Sequence, residues 1–252
     1  MRIQKTSRQP ASSGLLPGHL EDINRLSRAS LSAEEVYVFS LCLCDNEVDR
    51  DQERFPEKTL EQLAPLFVGK SGLFDHSWSA RGQAARLYRT EVVREPERLT
   101  QAGDGYCWLK GWAYMVRTPD NQGLIAEIEG GIKKEVSVGC AVKRAVCSIC
   151  STERGQDCGH KPGEVYDGAR CFFQLEEAVD AYEFSFVAVP AQPGAGVVKG
   201  LCPAGEPAQT LRELAAGRDL CIRELDGLER EAALGRKWLF TLREEVVRMG
   251  AL

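Results

Sequence analysis

A nine-residue stretch without a charge, Val36-Tyr37-Val38-Phe39-Ser40-Leu41-Cys42-Leu43-Cys44, constrains this chain most. It is rich in β-branched and aromatic residues and too short for a buried helix, so it predicts a strand covered on both faces. Further strands are expected over Ala84–Val93, Gly105–Tyr114, Glu135–Val142 and Ala181–Val189. Tyr106, Trp108 and Trp112 sit at even spacing within the second of these. Helical spacing marks Lys58–Phe67, where Leu60, Leu63 and Leu66 recur every third residue, and Leu124–Gly130 reads as a short helix. The pattern is that of an α+β protein built mainly of strands.

The chain ends divide from this region by composition. Residues 1–32, broken by Gln9-Pro10, Gly14 and Pro17, read as a flexible or loosely helical leader, and 33–199 as the main domain. Residues 200–209 form a Pro/Gly linker. The tail over 210–252 carries an a/d-like spacing through Leu211, Leu214, Cys221, Leu225, Leu228, Ala232, Leu239, Leu242, Val246 and Met249, interrupted at Arg218 and Gly235. A helical hairpin and a self-associating coiled coil fit that spacing equally.

Hydrophobic residues make up 43% of the sequence and charged ones 27%, enough apolar material for a sizeable core. The formal charge of −5 gives no strong nucleic-acid signal, since nonspecific binding relies on basic surface. No stretch reaches the roughly 18 consecutive apolar residues of a membrane span. The first residues lack a continuous apolar h-region, so no export signal is expected. The ten cysteines are then expected in a reducing compartment, where metal binding or free thiols outweigh disulfides.

Four cysteines fall between Cys147 and Cys171. Cys147-x-x-Cys150 has the spacing with which two thiolates grip one ion, and Cys158-Gly159-His160 supplies a second pair. Four sulfur and nitrogen donors favour zinc. The expected ligands are Cys147, Cys150, Cys158 and His160, with Cys171 able to replace a member of the tighter second pair. The cluster predicts a structural zinc knuckle inserted over 143–172. A catalytic zinc is disfavoured because no H-E-x-x-H pattern or spare acidic ligand lies nearby. An iron–sulfur cluster and unliganded thiols are the remaining readings.

Three segments carry a second chemistry. They are Gly69-Lys70-Ser71-Gly72-Leu73-Phe74-Asp75-His76, then Lys133-Lys134-Glu135-Val136-Ser137-Val138-Gly139, then Tyr182-Glu183-Phe184-Ser185-Phe186-Val187-Ala188-Val189-Pro190-Ala191-Gln192-Pro193. A serine hydroxyl needs a base to take its proton, and imidazole has the appropriate affinity. There are three histidines. His19 lies in the leader and His160 among cysteines, which leaves His76 as the base if the chain is a serine hydrolase. Val136 and Val138 flank Ser137, so the pleat turns the hydroxyl away from an apolar face. Cys140, at an odd offset from Ser137, is a weaker nucleophile candidate and more consistent with packing.

In order and separation the three segments resemble the prohead protease family of tailed phages, over about Val36–Val198. The resemblance implies a herpesvirus-protease-like β-barrel with flanking helices, and a serine endopeptidase that trims scaffold and capsid precursor during maturation. Residue by residue it implies His76 as general base, Ser137 as nucleophile and Glu183 as the third member, with Asp75 and Asp180 as competing acceptors. Backbone amides near Gly139 or the Arg144 side chain are candidates for an oxyanion hole. It further implies the major capsid protein precursor and scaffold segments as partners, with the portal as another, and a location in the host bacterial cytoplasm inside the procapsid. Two other readings use the same residues: a noncatalytic zinc-knuckle protein binding nucleic acid or a phage structural partner, and a degenerate protease serving as internal scaffold.

Overall fold

The computed structural model describes residues 18–198. Strand β1 (Val36–Asp45) is buried at every position, because it is covered from both sides as its uncharged run requires. On one face Tyr37, Phe39, Leu41 and Leu43 enter the main core. On the other, Val36 and Val38 meet helix α1 (His19–Leu26), whose Ile23 packs among Tyr88, Trp112 and Tyr114.

The flexible or loosely helical leader expected there is, over His19–Leu26, a helix packed on the sheet. His19 is 1% exposed and its Nδ1 lies 2.6 Å from the Tyr88 hydroxyl. Leu20, Ile23 and Leu26 recur every third residue here, the spacing of an amphipathic helix, but the run is only eight residues long and follows the breakers Gly14 and Pro17. The remainder of the leader, the linker and the tail over 210–252 lie outside the described residues.

The other elements follow in order: β2 (Glu53–Arg54), α2 (Glu57–Phe67), β3 (Ser71–Phe74), β4 (Ala85–Leu99), β5 (Gly105–Val116), α3 (Gln122–Glu129), β6 (Val136–Cys147), β7 (Val165–Tyr166), β8 (Ala169–Arg170), β9 (Phe173–Phe186) and β10 (Gly196–Val197). The fold is α+β, with a mixed sheet ordered β10-β1-β5-β4-β3-β9-β2 and β6 also pairing with β9. Neighbours are antiparallel except β3 and β2, which run parallel to β9. Helix α2 lays Leu60, Leu63 and Phe67 into the main core.

The closed barrel implied by the resemblance is not formed. Beyond β6 the sheet meets β10 only at an isolated bridge, Glu135↔Gly196, supported by the Val197 N–H donating to the Lys134 carbonyl at 2.6 Å. With only two residues, β10 is too short to make a continuous ladder there.

Strands β6 and β9 run longer than expected. They stay paired from Val136↔Phe186 to Cys147↔Phe173, with register shifts between Gly139 and Cys140 and between Ala141 and Val142. The polar, glycine-containing stretch between the two expected strands concealed this extension, since half-exposed ribbon residues lack a continuous apolar signal. The result is a long β6–β9 ribbon, joined at its far end by β2 on the β9 side and bearing the cysteine cluster at its tip. Part of the expected insertion over 143–172 is therefore regular strand.

Candidate active site and metal centre

Strand β9 lies between β3 and β6, and this order brings the three motif segments together. Ser185 pairs with Leu73 on β3 and with Ser137 on β6; Glu183 pairs with Ser71 and with Gly139. Directly opposed residues share a face of the sheet. Ser137, Gly139, Glu183 and Ser185 therefore stand on one side, while Val136, Phe184 and Phe186 fill the core on the other.

Two glycines make this row possible. A Cβ on Gly139 would lie 2.4 Å from Glu183 Oε1, so the carboxylate occupies the space over that glycine. On the opposite face, a Cβ on Gly72 would lie 2.4 Å from Phe184 Cζ. Each glycine admits a large neighbour from β9.

After β3 the chain turns over this face through Asp75 and His76, both with positive φ, 49° and 53°. Left-handed backbone at non-glycine residues costs about 1–3 kcal/mol each and persists only where contacts hold it. The Asp75 N–H donates to the Phe186 carbonyl at 3.0 Å. The His76 N–H donates to Ser185 Oγ at 3.1 Å.

The His76 ring is thereby set with Nδ1 2.8 Å from Glu183 Oε1. The other carboxylate oxygen, Oε2, accepts the Ser185 hydroxyl at 2.6 Å. An ionised carboxylate only accepts, so Nδ1 carries the proton and Nε2 of a neutral ring is left as an acceptor. Glu183 is 2% exposed, which limits competition from water for this contact.

Of the three carboxylates considered as partners of the ring, Glu183 contacts it. Asp180 instead pairs with Lys70 at 3.3 Å. Asp75 is engaged through its backbone. Among the described residues no hydrogen bond joins the Ser137 hydroxyl to His76. Cβ atoms of directly opposed residues lie about 4.5–5.5 Å apart, so Ser137 is one cross-strand step from the serine that holds the His76 backbone.

Ser137 opens onto a cleft of about 280 Å³ lined in part by Leu43, Phe55, Gly139, Cys140 and Gln192. Cys140 packs against the main core, and burial with the nearby Glu183 charge pushes its thiol up to about 11, unsuited to nucleophilic attack near neutrality. Arg144 lies seven positions along the ribbon from Ser137, about 23 Å at strand rise. It faces Glu153, Glu176 and Glu177 at 3.7–3.9 Å and is removed from the oxyanion role considered above.

Ser185 is the participant that the residue-level reading missed. It is fully buried and links the Glu183 carboxylate to the His76 backbone. The signal was present in Glu183-Phe184-Ser185, where a spacing of two puts both polar groups on one face of a strand.

At the ribbon tip, Cys147, Cys150, Cys158 and His160 present ligand atoms within 4.8 Å of one another. Cys150 and Cys158 sulfurs are 3.5 Å apart, and Cys158 Sγ is 3.7 Å from His160 Nδ1. Tetrahedral zinc–thiolate bonds of about 2.3 Å would set ligand edges of about 3.8 Å, so the residues fit such an ion. Cys171 is also within reach, its sulfur 3.7 Å from that of Cys147. Both of these are buried, whereas Cys150 is exposed.

Hydrogen bonding with Thr152, the first cause, and with Cys158 and His160 lowers the Cys150 thiol to about 6. The knuckle backbone is tied by the Ser151 N–H to the Cys147 carbonyl, the Cys171 N–H to the Glu164 carbonyl and the Gly163 N–H to the Cys171 carbonyl. The His160 ring stacks edge-on against Tyr166 at 4.5 Å. No disulfide forms among the described cysteines.

Fold and site together define an α+β protein that carries a histidine–carboxylate pair on one sheet face and a metal-compatible cysteine–histidine cluster at the end of a ribbon. No family model, curated protein or solved structure matches the chain. No helix among the described residues is long and apolar enough to cross a membrane.

Proposed function

We propose that the chain is a serine endopeptidase of the prohead protease kind, with Ser137 as nucleophile, His76 as general base and Glu183 orienting the ring. The observation that carries the reading is the 2.8 Å contact of His76 Nδ1 with the buried Glu183 carboxylate, on the same sheet face as Ser137. The strained turn at Asp75 and His76 supports it, because such backbone is kept where a side chain must be aimed. So does the opening of Ser137 onto a cleft.

In this reading Nε2 of His76 takes the Ser137 proton as Oγ attacks the scissile carbonyl. The imidazolium is stabilised by Glu183, then returns the proton to the leaving amine. Water hydrolyses the acyl-enzyme by the same relay. Amides near Gly139 remain the candidates for stabilising the oxyanion. In this reading the hydrogen bond from Ser137 to His76 forms when substrate arrives, as is common for catalytic contacts absent from a free enzyme. The partly joined strand path, with its ends meeting at Glu135 and Gly196, is the feature that supports kinship with herpesvirus-protease-like barrels.

The knuckle is read as a structural zinc site held by Cys147, Cys150, Cys158 and His160, with Cys171 as the alternative donor. Zinc would brace a tip whose own core is only Cys147, Cys171 and Phe173 with a few partly buried neighbours. Capsid precursor and scaffold segments as substrates, self-association through the tail, and action inside a procapsid belong to the same proposal.

A fluorophosphonate probe tests the nucleophile without a known substrate. Intact protein should gain one adduct, mapped to Ser137, and lose it in Ser137→Ala and in His76→Ala. Coexpression with a capsid precursor should then show cleavage by the unaltered chain only. Labelling that is equally slow in all three proteins would refute the hydrolase reading.

A further inference from the structure

A second cleft adjoins the His76–Glu183 pair on the β3 side. Its volume is about 390 Å³, and Leu73, Trp78, Tyr182 and Glu183 are among its lining residues. Trp78 follows His76 by two positions and is 73% exposed, while Tyr182 precedes Glu183 and is 42% exposed. Their rings lie 5.5 Å apart at 56°, forming one aromatic wall, and buried Leu73 forms an apolar floor. Exposing two large rings side by side sacrifices burial that the core could have used.

The charged and hydroxyl-bearing groups around this cleft other than Tyr182 are already engaged. Lys70 pairs with Asp180, the Ser71 hydroxyl donates to Gln83 Oε1 at 3.4 Å, Ser79 Oγ accepts the Arg81 N–H, and Glu183 is held by His76 and Ser185. No uncompensated charge remains among these groups to attract an ionic group. Dispersion and ring stacking against Trp78 and Tyr182, with the indole N–H and phenol hydroxyl at their edges, are the interactions left to offer.

Leu73, Ser185 and Ser137 stand in one row across three adjacent strands. At the usual strand separation, Leu73 is about 10 Å from Ser137, the span of about three residues of extended peptide. We infer that this cleft is a specificity subsite receiving a large apolar side chain, aromatic above all, of a polypeptide substrate, one to three residues from the scissile bond. The inference rests on the hydrolase reading for its link to cleavage; the recognition of an apolar peptide side chain can be examined separately.

The full chain carrying Ser137→Ala is titrated with N-acetyl-Ala-Ala-Phe-Ala-Ala-amide and with the all-alanine pentapeptide. The Trp78 indole N–H signal is followed by NMR and assigned as the one missing in Trp78→Phe. The phenylalanine peptide should shift that signal with at least 5-fold tighter half-saturation. In parallel, the unaltered chain digests reduced, denatured casein and the cut sites are mapped by mass spectrometry. Phe, Tyr, Trp or Leu should be enriched at one fixed offset, and the enrichment should fall about 10-fold in Trp78→Ala and in Tyr182→Ala.

A silent indole signal, or equal shifts from both peptides, overturns the subsite. Cleavage whose side-chain preference is absent, or unchanged in both variants, overturns it as well. Selective binding without any cleavage upholds the apolar recognition and removes the hydrolase reading instead.

Discussion

Gly139 lies directly across from Glu183, and the carboxylate that meets His76 fills the volume a side chain at 139 would need. Gly139→Ala should therefore push Glu183 from the ring while keeping every proposed reacting group. Overpacking of this kind costs about 1–3 kcal/mol. The expected result is a folded protein with lowered thermal stability and fluorophosphonate labelling slowed at least tenfold. Circular dichroism melts and labelling rates check both parts.

Glu183→Gln keeps the shape but can present an amide N–H where the ring needs an acceptor. By analogy with triads in which the acid becomes an amide, turnover should fall about 10²–10⁴-fold. Ser185→Ala should be milder in turnover but costly to the loop, since the hydroxyl's bond to a charged acceptor is worth about 1.5–3 kcal/mol. Measuring kcat alongside hydrogen exchange of the His76 amide separates the two effects.

The metal site should hold one zinc per chain, measured by plasma mass spectrometry after purification without added metal. Cys147→Ser and Cys158→Ser should each abolish stoichiometric binding. Chelation should raise hydrogen exchange across 144–173 and leave β1, β4 and β5 protected, because the tip has its own small apolar cluster apart from the main core. Global unfolding on chelation would contradict this arrangement.

His19 gives a pH dependence of stability. Burial, the largest cause, followed by the Arg89 charge, lowers its pKa in the folded chain. An unfolded chain takes up this proton near pH 6.5, so the folded state loses stability as pH falls below that value. The loss is at most about 1.4 kcal/mol per pH unit. Urea midpoints at pH 7.5 and 5.5 should differ more for the unaltered chain than for His19→Phe.

The sequence revealed those parts of the fold with strong periodicity. The uncharged run in β1, the leucines of α2 and the valines flanking Ser137 each pointed to the face that the structure buries. Helix α1 was legible only as a loosely helical leader; its packing was hidden, because its fully buried side chains are Ile23 and a histidine, a residue type that reads as exposed. The length of β6 and β9 was hidden for a related reason: Lys143, Arg144, Glu176 and Glu177 are strand residues paired across a ribbon rather than against a core. The row of Glu183 and Ser185 was visible as a spacing of two, yet only the topology β3-β9-β6 assigns its neighbours.

The ribbon would give a metal-loaded cysteine cluster a role at a distance. A slip of one residue between two strands reverses every side chain on the slipped strand, and here it would turn Ser137 inward and seat Val138 opposite Ser185. Cys147 ends β6, and its sulfur lies 3.7 Å from that of Cys171, two residues before β9, so the two strand ends meet side by side at the cluster. A metal closed on this cluster would act as a rivet at the far end of β6 and β9, adding to the fit of Gly139 beneath Glu183 in holding the register that aligns the hydroxyl.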